Sequence, residues 1–240
     1  MNRYSCMQDD FTKVTLGGKE YDRGDMIVRN RIVALLFRIA AFAILTTSFY
    51  FTWLDYPSFW AAMSSFDNQM GVIMILIFGF VIVFNLIDLR HGMHGMAACP
   101  YMPIALPLMA FSIVSGIFYF SYSLPLGAAP GGFFSLIFHV LLILAPLIEW
   151  LLFDLKGNVR YSTGFAFMII PIFYYVFGYF RTIIWPESPV YASFVYAYPC
   201  LDFRYGHIVL ASFIYFATLL GAVQLMVFLG NVFCGKYRRY

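Results

Sequence analysis

The sequence predicts an all-α protein: a polytopic transmembrane bundle of six helices with both termini in the cytoplasm. Three observations predict it. Of 240 residues, 62% are hydrophobic and 11% charged, whereas a soluble domain carries about 25% charged residues. Six apolar runs each approach the ~20 residues needed to cross ~30 Å of hydrocarbon. Lys and Arg, finally, fall on alternate connections between those runs. A chain this apolar cannot cover itself with polar groups, so lipid must cover it.

The runs are Arg31–Leu54, Phe66–Ile87, Tyr101–Tyr122, Phe133–Phe153, Thr163–Ile184 and His207–Val232. Each far exceeds the ~9–11 residues of a barrel strand and lacks strict alternation, so helices are expected. The organisation is therefore a tail over residues 1–30, a six-helix domain over 31–232 and a basic tail over 233–240. The first tail has no apolar stretch behind a basic start, so it is not a signal peptide. It is read as partly ordered, with its later part along the membrane surface.

Orientation follows from the basic residues. Arg3, Lys13, Lys19, Arg23 and Arg29 precede the first run; Arg90, Lys156, Arg160, Lys236, Arg238 and Arg239 flank the same side later. The opposite connections hold Arg181 and Arg204 beside the fifth and sixth runs, and no basic residue elsewhere. The cysteines Cys6, Cys99, Cys200 and Cys234 are scattered with no CxxC pair, so neither a disulfide nor a zinc site is expected.

Ionisable groups inside a span cost roughly 2.5–3.5 kcal/mol each and suggest function. In the first run Arg38 lies roughly 10 Å from the cytoplasmic end at 1.5 Å per residue. In the fourth, Glu149 lies at a similar depth, and the two are expected to form a structural ion pair. The second run opens with Ser65-Phe66-Asp67-Asn68-Gln69. Ser65 or Asp67 is a good helix N-cap; alternatively Asp67 stands at the mouth of an outward-facing pocket. The connection RHGMHGMAACPYM offers His91, Met93, His94, Met96 and Cys99 as soft metal ligands, but in no metal-binding spacing, so no metal is assigned.

Ser112, Ser115 and Gly116 in the third run suit close helix contact. His139 lies about six residues, ~9 Å, inside the fourth, on the side where Asp67 starts the second, with Ser135 one turn earlier. Pro146 kinks the helix between His139 and Glu149 and frees a carbonyl. Arg181 and Arg204 border a connection long enough to cover an outward cavity, as holders of an anionic headgroup or as interfacial anchors.

Three segments carry a resemblance: SSFDNQ at the second run, His139 followed by Glu149-Trp150 and LLFDLKG, and YAYPCLD before the last run. On these the chain resembles the six-helix membrane hydrolases of the androgen-induced and androgen-dependent tissue-factor-pathway-regulating group and their bacterial relatives. The resemblance implies hydrolysis of fatty acyl esters by a membrane threonine and histidine. The histidine carries over to His139, and Asp67 stands at the threonine position.

The expectation is thus a hydrolase of lipid esters with His139 and Asp67 as catalytic residues. Asn68, Gln69, Ser135, Arg181 and Arg204 would bind substrate, Arg38 and Glu149 would form a structural pair, and no cofactor is called for. Water, Ser65 or Ser135 would be the nucleophile. No GxSxG or HExxH signature is present. The other expectation is a non-catalytic lipid-binding or structural membrane protein, or a subunit of a larger assembly, with Asp67–His139 as a buried pair. Transport is a weaker third reading, since no internal repeat is visible. Membrane lipids and proteins within the membrane are the expected partners, not nucleic acid, at the plasma membrane or an endomembrane.

Overall fold

A computed structural model describes residues 13–16, 19–22, 30–91, 102–154, 156–157, 159–185, 190–192, 196, 198–202 and 206–233. Six helices in it are long and apolar enough to cross a membrane: the chain is a multi-pass helical membrane protein. The first is α1 (Arg31–Leu54), followed by a single short helix α2 (Phe59–Met63) and then α3 (Phe66–Arg90). Next come α4 (Met102–Phe118), continued by a π-helical turn over Tyr119–Ser123, and α5 (Phe133–Ile148), continued by a second π-turn over Glu149–Phe153. The fifth span is α6 (Tyr161–Phe167) plus α7 (Ile169–Ile184), and α8 (Ile208–Phe233) is the sixth. The tail carries an antiparallel hairpin, β1 (Lys13–Leu16) with β2 (Lys19–Asp22), which hydropathy could not show.

The span limits move by a few residues. The second runs on to Arg90, the fifth starts at Tyr161 and the sixth at Ile208. The larger difference is the break in the fifth span. Pro171 lacks an N–H and its ring crowds the carbonyl four residues back, at Phe167; α6 ends at that residue.

α4 is the central helix, with 67% of its most apolar window buried against 17–44% for the others. It packs on α3, α5 and α8, while α1 lies against α3 and α5. Phe66, Met70, Met74 and Phe78 of α3 meet Met109 and Phe111 of α4 and Phe138 and Leu142 of α5 in one core. Large apolar side chains on the opposite faces, such as Phe173, Phe180, Val209 and Phe213, are exposed to the surrounding lipid. Trp53, Trp60 and Phe133 gather near one end, as aromatic rings do at a membrane interface.

Close approach is set by small residues. A Cβ on Gly116 would stand 2.9 Å from the backbone oxygen of His139, so α4 touches α5 at the level of that histidine. Gly71 likewise leaves the place that the Phe138 ring occupies.

The carbonyl freed by Pro146 is that of Leu142, four residues back, and Ser112 Oγ of α4 donates to it at 2.9 Å. In lipid no water would satisfy that oxygen. Ser112→Ala should therefore cost about 1–3 kcal/mol, read as a loss of unfolding free energy in detergent micelles. Ser115→Ala, whose hydroxyl bonds back within its own helix to Ser112 O at 2.8 Å, should cost less.

Candidate functional site

Two buried polar clusters lie along α5 and the π-turn that continues it, ten residues or ~15 Å apart, and a π-turn adjoins each. A π-turn inserts a residue into the helical ladder and re-aims the side chains around it, which is why such turns recur at functional positions.

The first cluster forms where the α2–α3 corner meets α5. α2 is capped by Ser58, whose Oγ accepts from Ala61 N at 3.1 Å. The chain then turns through Ser64 and Ser65 into α3. Ser65 occupies the N-cap position but makes no side-chain cap; its hydroxyl donates to Asp67 Oδ1 instead. Asp67 Oδ1 also accepts from Asn68 N at 3.0 Å, and Asp67 N donates to the Tyr198 hydroxyl at 3.2 Å. The carboxylate thus sits in the first turn of α3, where the helix dipole favours negative charge.

His139 reaches this carboxylate from α5. Its Nε2 lies 2.7 Å from Asp67 Oδ2 and its Nδ1 lies 2.7 Å from Ser135 O. A carbonyl only accepts, so Nδ1 carries a hydrogen and one further proton is shared between Nε2 and the carboxyl group. Wherever that proton lies, the pair as a whole is electrically neutral, which is what a membrane interior tolerates. Tyr119, first residue of the π-turn, stacks on the imidazole with centroids 3.4 Å apart and planes within 5°. Its hydroxyl donates to Pro130 O at 2.5 Å and lies 3.2 Å from Ser135 Oγ, which itself donates to Pro130 O at 2.9 Å. Asp67, Asn68, Ser135, His139 and Tyr119 are all at most 1% exposed.

Two further tyrosines close the cluster. Tyr198, from the connection before α8, and Tyr56, before α2, are both held well above the ordinary phenol range, by burial first and then by the Asp67 charge. Both therefore remain neutral phenols. Tyr56 also reaches the Ser65 and Asn68 side chains.

The expected substrate residues take varied places. Asn68 Nδ2 donates to Ala62 O at 2.9 Å and Gln69 Nε2 to Met63 O at 2.7 Å, so both amides tie α3 to α2. Arg181 lies in the last turn of α7 and is 7% exposed. Arg204, together with Met93, His94, Met96 and Cys99 of the expected soft-ligand loop, lies outside the described residues. His91 ends α3 with Nδ1 2.8 Å from Ile87 O.

The second cluster is the ion pair. Arg38 of α1 donates from Nε to Glu149 Oε1 at 2.9 Å and to Oε2 at 3.1 Å, and from Nη2 to Oε1. The guanidinium also lies 5.8 Å from the centre of the Phe153 ring. Beyond the π-turn, Lys156 folds back over the Trp150 ring and donates to the carbonyls of Trp150, Leu151 and Asp154, covering the open end of the helix. Burial lowers the Lys156 ammonium to about 8, against the pull of Asp154 and Glu149. The unfolded chain then holds the extra proton between about 8 and 10.5, so stability should rise with pH across that window. Lys156→Met should abolish that rise, as checked by unfolding at stepped pH.

Sequence reasoning placed Asp67, His139, Arg38 and Glu149 but missed Tyr56, Tyr119 and Tyr198. Only Tyr198 had a signal, inside the singled-out YAYPCLD; the other two are among many aromatic residues. No family model, no curated protein and no solved structure matches this chain.

Proposed function

We propose that this integral membrane protein binds lipid without turning it over, and that Ser65, Asp67 and His139 form a lock between α3 and α5. One observation carries the reading: both imidazole nitrogens are engaged inside the protein, Nε2 by Asp67 and Nδ1 by Ser135 O. A general base needs a ring nitrogen facing the proton it removes, and here neither faces a hydroxyl. The histidine and its partners are sealed at 0–1% exposure, as suits a pair that fixes two helices. In this proposal the cluster faces away from the cytoplasm, following the bias of basic residues in the connections.

The second reading is the lipid-ester hydrolase that the sequence resemblance implies. It is favoured by the order hydroxyl, carboxylate, imidazole: Ser65 donates to the carboxylate that His139 holds. In that case Asp67 takes the serine proton while His139 balances the charge. The reading requires the tyrosine cover to open and admit an ester.

The purified protein, offered a panel of fatty acyl esters of varied chain length, separates the two. No turnover above the detergent blank is expected. Turnover that disappears in both Ser65→Ala and His139→Ala, with each variant folded, would establish the hydrolase instead.

A further inference from the structure

We infer that the exposed aromatic surface where α1 ends and α5 begins takes the trimethylammonium head of phosphatidylcholine, with Asp55 as its counter-charge. The inference rests on the lipid-binding reading and names the lipid. Six rings run there in unbroken contact. Trp60 meets Phe59, Phe59 meets Trp53 and Trp53 meets Tyr50, with centroids 5.3–6.2 Å apart and planes crossing at 71–86°. Tyr50 leads on to Phe51, which stacks on Phe134 of α5 at 4.3 Å.

All of these rings except the half-buried Trp53 are exposed, Trp60 at 77%. Rings set nearly at right angles cannot lie in one plane, so their π-faces and edges point outward in several directions. Aromatic anchoring at a membrane surface needs such rings but no charge of a given sign. A carboxylate is nevertheless present. Asp55 follows Phe51 by four residues and caps α1 in helical conformation, so it continues the same side of the helix. It is exposed and makes no ion pair among the described residues. Its Oδ2 borders the start of α5, 3.1 Å from where a Cβ on Gly132 would stand. Within residues 50–65 and 123–135 Asp55 is the one charged side chain.

Charge and ring faces together select the occupant. A quaternary ammonium is drawn to the negative faces of aromatic rings, and Trp is the best of them. It has no N–H to leave unpaired, and a nearby carboxylate adds to the attraction. The primary ammonium of phosphatidylethanolamine is compact and strongly hydrated, as that of lysine is, so it gains less from the rings. Phosphatidylglycerol brings a net negative charge to a surface whose own charge is negative. The surface is separate from the sealed Asp67 and His139, so a bound head leaves the lock untouched.

The test is native mass spectrometry of the full-length protein in detergent, titrated with phosphatidylcholine, phosphatidylethanolamine and phosphatidylglycerol of identical acyl chains. Phosphatidylcholine is expected to bind about tenfold more tightly than either of the others. Phe59→Leu keeps the surface apolar but removes the ring between Trp53 and Trp60, and Asp55→Asn removes the charge. Each should reduce that preference about fivefold or more, with the melting temperature near wild type because both side chains are exposed. Should one variant fail to fold, the other decides alone. Equal binding of the three lipids, tighter binding of phosphatidylglycerol, or an undiminished preference in either folded variant would overturn the site. A dimer that excludes lipid and is lost in Phe59→Leu would assign the surface to a second copy and overturn it too. Ester turnover would strike the non-catalytic reading instead, so the two failures are distinguishable.

Discussion

Arg38→Ala should cost about 3–5 kcal/mol of stability, because it leaves the Glu149 carboxylate buried in the bundle without its cation. The guanidinium is 0% exposed, Glu149 is 1% exposed, and two of the bonds between them measure 2.9 and 3.1 Å. Glu149→Ala should cost as much by leaving the arginine. Replacing both together, Arg38→Met with Glu149→Leu, removes the desolvation cost along with the attraction and should recover most of the loss. Arg38→Lys should not rescue: an ammonium lacks the fork that meets both carboxylate oxygens. Denaturant unfolding in micelles measures all four. Additive losses in the double variant would mean that the two residues act separately.

The second large effect belongs to Asp67 and His139. His139→Leu leaves Asp67 in a dry environment with only Ser65 and the Asn68 amide as donors, and about 3–5 kcal/mol should be lost. Asp67→Leu should cost a similar amount, since it also strands the Ser65 hydroxyl. The Tyr119 ring covers the imidazole face at 3.4 Å between centroids, so part of the loss is packing.

Hydropathy made the six spans legible because lipid solvation is a long-range, additive property of some twenty residues at a time. The same reasoning placed Arg38 and Glu149 at one depth and Asp67 and His139 at another, since depth follows from counting residues along a helix. It could not show azimuth. Whether His139 turns towards α3 depends on close contacts at Gly71 and Gly116, which leave no periodic trace. The π-turns over Tyr119–Ser123 and Glu149–Phe153 were equally invisible, since hydropathy does not distinguish them from the α-helices they continue. The break after Phe167 was within reach, because Pro171 stands four residues further on in the fifth run. Ser65 shows the limit of local rules. A serine at that position reads as an N-cap, yet Asp67 two residues on takes its hydroxyl.

The role of Ser112 had a partial signal. Pro146 announced a free carbonyl, and a small hydroxyl residue in the neighbouring helix was available to meet it. Which residue would do so required the register of α4 on α5.

A lock and a reaction centre differ in what they do to stability. Catalytic groups are commonly held at a cost, so replacing them often leaves a protein as stable as before or more so. A double-mutant cycle on Asp67 and His139, followed by reversible unfolding in micelles, reads this directly. The lock predicts a large loss for each of Asp67→Leu and His139→Leu, with most of it recovered when the two are combined. Single variants that unfold at or above the wild-type denaturant concentration would contradict it.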